Sequence, residues 1–255
     1  MLSAHRFFHP ASADARPLVA ISSCLTGQRV RYDGDHKQLL QWEQVLASQL
    51  QWLPICPEVG AGLGVPRPPV RLVAVAGQPA RVRGRDDPGL DVTDALRDVA
   101  ESSVAELQHR RVCGYLWQSR SPSCGRDSTP LFDAQGRQIG FTSGIQADHI
   151  RRELPWLATA EDTDVATTAG AWRFVLRCRL VYDILQTDSA ALPALHRHYA
   201  ALTDGTAPLD GALGVREKTL LEAAARAGDT TGYLTVFNAA VEGLPADRLL
   251  ALFGR

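Results

Sequence analysis

The chain has 255 residues, enough for one large domain or two smaller ones with ample core. Hydrophobic residues make up 45% and charged residues 22%, and the formal net charge is -1, so bulk charge does not indicate a nucleic-acid or membrane protein. No apolar run approaches the roughly 20 residues of a membrane helix, and Phe7 to Pro10 interrupt any signal-peptide core. We therefore expect a cytoplasmic protein whose five cysteines remain reduced.

Up to about residue 160 the chain alternates short apolar runs, tight turns and helical patterns, which is typical of an α/β fold. The apolar runs predict an open, mostly parallel sheet with flanking helices, a Rossmann-like arrangement. Pro54 falls within one of these runs, so we expect that strand to be short or at a sheet edge. Strands are predicted at 18–21, 52–55, 70–75, 80–85 and 112–117, a hairpin turn at 131–136, and helices at 94–108 and 144–154.

From residue 161 to 170 a polar stretch rich in Thr, Asp and Ala predicts a linker. Beyond it nearly every segment has helical periodicity, which predicts an all-α C-terminal domain. The two predicted domains span residues 15–160 and 165–255, and the second is the more acidic. Its helices are predicted at 172–184, 192–199, 213–227, 232–242 and 245–253.

Three of the five cysteines follow predicted strands. Cys24, Cys56 and Cys124 could converge although they are far apart in sequence, because the carboxyl ends of parallel strands meet at one sheet edge. Three thiolates are one fewer than the usual four ligands of a structural zinc or an iron–sulfur cluster, which leaves room for a substrate. The spacing is equally compatible with buried core cysteines. Cys113 and Cys178 lie inside a predicted strand and a predicted helix, so we expect them to be structural.

Several polar residues near these cysteines could take part in catalysis. Glu58, two residues after Cys56, could act as a general base on water or be a solvated surface charge. Ser121 and Ser123 could donate hydrogen bonds to a substrate or form turn contacts within their own loop. Arg67, between two prolines, could direct its guanidinium at an anion or form a surface ion pair.

Six short motifs occur in order along the first part of the chain. They are Ser23-Cys24-Leu25-Thr26-Gly27, Val30-Arg31-Tyr32-Asp33-Gly34, Cys56-Pro57-Glu58-Val59, Pro66-Arg67-Pro68-Pro69, Asp91-Val92-Thr93 and Arg120-Ser121-Pro122-Ser123-Cys124-Gly125. Together they closely resemble the thiouracil desulfidase family over approximately residues 15–160. The loop at 126–129 replaces a glycine-richer segment of that family, but no departure removes a candidate ligand.

The resemblance implies a 4Fe–4S cluster held by Cys24, Cys56 and Cys124, with the fourth iron free of protein ligands. It implies a reaction without net redox change, in which the thiocarbonyl sulfur of a thiouracil or thiouridine binds that iron. Glu58 would activate the attacking water, and Ser121 would orient this base or relay a proton. The products would be the oxo-pyrimidine and sulfide. The candidate substrate-binding residues are Ser23, Arg67 and Ser123.

Relatives of this family can carry a helical extension, and some such proteins resemble tRNA thiouridine desulfidases. The tail of this chain resembles that extension only weakly. A tail that binds tRNA could use residues of one predicted helix by charge and by stacking. The same residues are compatible with an amphipathic face whose arginines are solvated, and the acidic tail disfavours strong RNA affinity. They are Phe174, Arg177, Arg179 and Tyr182.

Two other functions are compatible with the residues. A noncatalytic iron–sulfur or metal carrier would bind iron and release no sulfide from a thiobase. A metal-free enzyme with a cysteine nucleophile would need a histidine near the thiols, and His36, His109 and His149 have no supporting motif. The motifs do not indicate whether sulfur leaves C2 or C4 of the ring, or what the oligomeric state is.

Overall fold

The computed structural model describes residues 15–39, 45–201 and 215–252. The strands are β1 (Leu18–Ser22), β2 (Gln51–Ile55), β3 (Val70–Val75), β4 (Gln78–Gly84), β5 (Gly114–Trp117), β6 (Thr129–Phe132), β7 (Gln138–Thr142) and β8 (Ala158–Glu161). The helices are α1 (Leu46–Gln49), α2 (Pro57–Gly60), α3 (Thr93–His109), α4 (Ile145–Glu153), α5 (Thr168–Gln186), α6 (Leu192–Ala201), α7 (Val215–Ala227), α8 (Thr230–Glu242) and α9 (Ala246–Leu252).

The first sheet, sheet A, is parallel throughout and has the order β2-β1-β5-β8. This confirms the predicted parallel α/β sheet with flanking helices. β2 is at its edge, and Pro54 lies opposite Ile21, so the missing N–H of the proline disrupts no central ladder. β8 was not predicted, because its sequence Ala-Thr-Ala-Glu carries little of the β-branched or aromatic signal of a strand, although all four residues are buried.

A second sheet, sheet B, contains β4, β3, β6 and β7 in that order. β3 pairs antiparallel with β4 and parallel with β6, and the antiparallel hairpin β6–β7 confirms the predicted turn. Gly136 has φ +80° within this turn, in the left-handed region that glycine adopts without strain. Leu72 and Val82 of sheet B pack against Leu96 of α3. The sequence patterns did not separate these strands from sheet A.

The two faces of sheet A are covered by different helices. α3 and α4 pack on the face that carries Ala20 and Tyr115, while α5 packs on the face that carries Val19 and Ile21. The predicted helical C-terminal region is confirmed by α5 to α9. Residues 213, 214 and 253 of the predicted helices lie outside the described residues. The division into domains at 160–165 remains a prediction.

The structure corrects the proposed RNA-binding face on α5 for three of its four residues, and the fourth, Tyr182, is partly buried against the same core. Phe174, Arg177 and Arg179 have side chains in the interior, with exposed fractions of 1%, 6% and 3%. Arg177 donates hydrogen bonds to the Thr159 carbonyl at 3.1 Å and to Asn238 Oδ1 at 3.2 Å. The helical spacing of these residues therefore marks a face packed on sheet A and α8. Among the described residues, no helix is both long and apolar enough to cross a membrane.

Candidate active site

A cavity of about 350 Å³ lies at the carboxyl ends of β1, β2 and β5. Cys24 lies in a 3-10 turn directly after β1, Cys56 directly follows β2, and Cys124 belongs to the loop after β5. The cavity is lined by Ser22, Ser23, Cys24, Val30, Arg31, Tyr32, Lys37, Ile55, Cys56, Pro57, Glu58, Arg67, Pro69, Val70, Arg85, Gln118, Ser119, Arg120, Ser121, Pro122 and Cys124. The structure thus brings together three cysteines from segments far apart in the sequence.

Burial keeps these thiols protonated in the absence of a bound cation. Burial raises the pKa of Cys24 to about 12, and the nearby Cys56 adds to the effect while Arg31 opposes it. Burial likewise raises the pKa of Cys56, opposed by the backbone N–H of Val59. For Cys124 burial raises the pKa well above the ordinary value, and Ser22 opposes this through a hydrogen bond. A metal that binds here must displace these protons.

The loop that carries Cys124 is held by hydrogen bonds of its own residues. The hydroxyl of Ser121 accepts the backbone N–H groups of Ser123 at 3.3 Å and Cys124 at 3.1 Å. The carbonyl of Ser121 accepts the N–H of Gly125 at 2.9 Å and the hydroxyl of Thr129 at 2.8 Å. Ser121 therefore holds the loop by accepting hydrogen bonds. Its own O–H can donate into the cavity, which Ser121 lines.

Glu161, a buried residue at the end of β8, accepts two hydrogen bonds from the same loop. Oε1 of Glu161 accepts the backbone N–H of Arg126 and the hydroxyl of Ser128, both at 2.6 Å. The hydroxyl of Ser128 also accepts the backbone N–H of Arg120, which adopts φ +62°. That left-handed conformation is unfavourable for arginine, so the hydrogen bonds around it must hold it in place. Glu161 was not a candidate from the sequence because β8 was not predicted.

Glu58 forms an ion pair with Arg67 at the cavity. Its Oε2 accepts from Arg67 Nε at 2.8 Å and lies 2.6 Å from Arg67 Nη2, and only 4% and 12% of the arginine and glutamate side chains are exposed. Oε1 of Glu58 accepts the hydroxyl of Ser123 at 2.9 Å. The guanidinium also donates from Nη1 to the carbonyls of Val30 and Gly64, both at 2.9 Å. Four of the five N–H donors of Arg67 are thus engaged by this chain itself.

The candidate serines have distinct positions. Ser123 was expected to bind substrate, but its hydroxyl donates to Glu58. The serine that was expected to orient this base is Ser121. Ser23 is buried, lines the cavity, and accepts the hydroxyl of Thr26 at its carbonyl, 2.8 Å away. Lys37 was not a candidate from the sequence, but it lines the cavity and pairs with the buried Asp162 at 2.8 Å.

The N-terminus of α4 is packed directly on the cysteine loop. The N–H of Gly144 donates to the carbonyl of Gly125 at 2.7 Å, and the N–H of Ile145 to that of Pro122 at 3.1 Å. The carbonyl of Ser123 accepts the N–H of Gln146 at 3.1 Å. Amide groups at a helix start lack intrahelical partners, and here loop carbonyls take the place of a capping side chain. The loop and the helix therefore hold each other in position.

The donor set suits an iron–sulfur cluster better than a single ion. Within the described ranges, no three His, Cys, Asp or Glu side chains are grouped closely enough to hold one metal ion. The three cysteine thiols instead border a cavity of about 350 Å³, which has room for a polynuclear group. Thiolates are soft ligands of the kind that iron–sulfur clusters prefer. The residues present therefore fit such a cluster.

The fold and the site together define the class of protein. It is an α/β protein with a parallel sheet, and cysteine thiols line a cavity at the strand ends that has room for a cofactor and a small ligand. The chain matches the family described as 2-thiouracil desulfurase over residues 19–162, and it belongs to that family. This confirms the resemblance found in the motifs. The match ends one residue after β8, so α5 to α9 lie outside it.

Two individual proteins are similar to this chain over part of its length. The uncharacterized protein YbbK of Bacillus subtilis (strain 168) is 26% identical over 111 residues, which cover 42% of this chain and 73% of YbbK. The solved structure of the 4Fe-4S-dependent thiouracil desulfidase TudS has 27% sequence identity and a TM-score of 0.48, and the match covers 59% of this chain and 93% of TudS.

Proposed function

We propose that this protein is a non-redox desulfidase that converts a thiolated pyrimidine to its oxo form and releases sulfide. The single observation that carries the proposal is the meeting of Cys24, Cys56, Cys124 and Glu58 around one cavity. Membership of the 2-thiouracil desulfurase family supports the reaction class. The overall chemistry is hydrolysis: water replaces sulfur at the ring carbon, and sulfide leaves with the protons of the water.

In this proposal Cys24, Cys56 and Cys124 hold a 4Fe–4S cluster. When bound, a cluster with one iron free of protein ligands supplies a soft Lewis acid for the thiocarbonyl sulfur, so the ring carbon becomes more electrophilic. The three thiols must lose their protons to act as ligands, and burial makes this costly without the metal charge.

Glu58 is the proposed general base for the attacking water. Its Oε1 and Oε2 are oriented by Ser123 and Arg67, which fix the carboxylate plane against the cavity. Because an oriented carboxylate retains further lone pairs, it can accept a proton from water at the ring carbon. Ser121 and Ser23 are the proposed donors to the pyrimidine, and the remaining N–H of Arg67 is a third.

The two competing functions receive less support from the site. A nucleophilic cysteine needs a thiolate at neutral pH and a nearby base. The pKa values of the cavity thiols are raised by burial, and none of the described residues that line the cavity is a histidine. A carrier would have no use for the Glu58 carboxylate held between Arg67 and Ser123.

The test is sulfide release by anaerobically reconstituted protein from 2-thiouracil, 4-thiouracil, 4-thiouridine and thiolated tRNA in parallel. We expect iron-dependent release from at least one of them, lost in Cys124→Ser and lowered about 10²- to 10⁴-fold in Glu58→Gln. Cys178→Ala is the matched control, because this buried cysteine lies on α5 in the core, away from the cavity. The parallel arms also establish the ring position and whether tRNA is a substrate.

Each outcome has a distinct meaning. Release that is unaffected by Cys124→Ser contradicts the ligand assignment. A stable cluster in the unaltered protein with no release from any substrate favours the carrier. Release without iron favours the cysteine nucleophile.

A further inference from the structure

A fully buried tyrosine belongs to the same buried cluster as Cys124, one of the three cavity cysteines. Tyr115, on the central strand β5, has an exposed fraction of 0%, and no hydrogen-bond partner reaches its hydroxyl within the described part of the chain. A buried polar group without a partner costs free energy, because nothing replaces the hydrogen bond that it made to water in the unfolded chain. Such a cost at the centre of the sheet suggests that the partner of this hydroxyl is a molecule bound in the site.

The packing of Tyr115 points to the cysteine loop. In the parallel register Tyr115 lies opposite Ala20, so its side chain shares a sheet face with Ser22, two residues further along β1. Tyr115 and Cys124 belong to one buried cluster on this face. The ring of Tyr115 stacks on Trp117, with centroids 3.4 Å apart and planes 10° apart, which restricts its orientation.

A second buried donor lies beside this hydroxyl. The indole N–H of Trp117 beside it is also buried without a partner in the described residues. Two adjacent donors in the cluster that contains Cys124 therefore lack an acceptor among the described residues. A protonated thiol accepts hydrogen bonds weakly, whereas a metal-bound thiolate or sulfide carries the charge that makes a good acceptor.

We propose that the Tyr115 hydroxyl donates a hydrogen bond to a sulfide of the bound cluster beside Cys124. This inference rests on the proposed function, because it needs the cluster. Tyr115 is a positioning residue that acts through the cluster and does not touch the substrate. Its hydrogen bond disperses negative charge on sulfur, which stabilises the Cys124–iron bond and favours the reduced, more negative cluster.

The test is Tyr115→Phe, which removes one oxygen and keeps the ring stacked on Trp117. In the loaded protein we expect a lower midpoint reduction potential and faster loss of iron to a chelator than in the unaltered protein. In the apoprotein the same substitution removes an orphaned hydroxyl, so we expect a urea midpoint that is unchanged or higher. This change of sign between the apo and loaded forms is not expected of a residue with a purely structural role.

Tyr233→Phe is the matched control. Tyr233 is a buried tyrosine whose hydroxyl lies 3.1 Å from His196 Nδ1 in the helical region, away from the cavity. We expect it to alter stability but not the reduction potential. On the unaltered protein, electron–nuclear double resonance of the reduced cluster should detect an exchangeable proton near sulfur, independently of how any variant folds.

An unchanged potential and chelation rate in loaded Tyr115→Phe, or no exchangeable proton in the unaltered protein, overturns the inference while the proposed function stands. An unaltered protein that binds no cluster overturns the proposed function, and this inference with it.

Discussion

At the residue scale, the site depends on thiols that the apoprotein holds in their protonated form. Cys24 and Cys124 are almost completely buried, and only neighbouring dipoles and Arg31 oppose the effect of burial on their pKa values. Cluster assembly is therefore expected to release protons and to become easier as pH rises.

The raised pKa of Cys24 predicts how the stability of the apoprotein depends on pH. Between the ordinary pKa of 9.0 and about 12, the unfolded chain loses the thiol proton while the folded chain keeps it. The folded state then binds more protons, so the free energy of unfolding falls as pH rises, by on the order of 1 kcal/mol at pH 10 for this one thiol. Urea unfolding from pH 8 to 10 should show a smaller fall in Cys24→Ser. Equal slopes in the two proteins would contradict the assigned shift.

The contacts of the two loop serines predict different effects on catalysis. Ser123→Ala removes the donor to Glu58 Oε1, so the carboxylate loses one of its two orienting partners. We expect kcat to fall about 10-fold, the equivalent of one hydrogen bond, with KM nearly unchanged. Ser121→Ala removes the acceptor for two loop N–H groups and is expected to weaken cluster retention as well. Steady-state kinetics combined with iron content distinguishes the two variants. Loss of iron in Ser123→Ala but not in Ser121→Ala would mean that the two serines have the opposite roles.

At the element scale, the cysteine loop and α4 act as one unit. A Cβ built on Gly144 would lie 2.5 Å from the Ser123 carbonyl carbon and 2.7 Å from its oxygen, closer than such atoms approach in proteins. Glycine is therefore required here by the close approach of two backbones, not by its φ angle of -66°.

Gly144→Ala is predicted to displace the backbone beside Cys124. We expect a destabilisation of about 1–3 kcal/mol together with lower iron content after reconstitution, measured by urea unfolding and metal analysis. Gly140→Ala on β7 is the control, because its added Cβ meets nothing within 4 Å. A Gly144→Ala protein that retains iron as well as the control would show that α4 does not position the ligand.

At the scale of the whole molecule, the C-terminal helices contact the cysteine loop through Arg126. Nη1 of Arg126 donates to Glu242 of α8 at 2.9 Å, and Nη2 lies 3.0 Å from Asp164. Its carbonyl accepts from Arg151 of α4 at 3.0 Å and from the hydroxyl of Ser143. Arg126 stands two residues after Cys124, so α8 supports the loop although it lies outside the family match.

A double-mutant cycle on Arg126→Gln and Glu242→Gln tests this support. Because the glutamate side chain is 47% exposed, we expect a coupling free energy of only about 0.5–1 kcal/mol in urea unfolding. We also expect faster iron loss in either variant. The exposed pair Arg226–Glu222 on α7, 3.9 Å apart, is the control and should couple less and leave iron retention unchanged. Zero coupling for Arg126 and Glu242 would mean that α8 only covers the loop.

The sequence by itself determined the class of the fold and the candidate ligands. Apolar runs bounded by turns predicted β1, β2, β3 and β5. Pro54 indicated that its strand is short or at a sheet edge, and β2 lies at the edge. Helical periodicity predicted α3, α4 and α5. Six ordered motifs identified the family, because local backbone preference and residue chemistry are properties that short segments carry themselves.

Only the tertiary structure decided which groups meet. The ion pair of Glu58 with Arg67 and the contact of Ser123 with Glu58 join segments whose separation in sequence carries no distance information. The arginines of α5 illustrate the same limit, since helical spacing marks a face without telling whether water or a sheet covers it. Long-range packing sets burial, and burial decides hydrogen-bond partners and thiol ionisation.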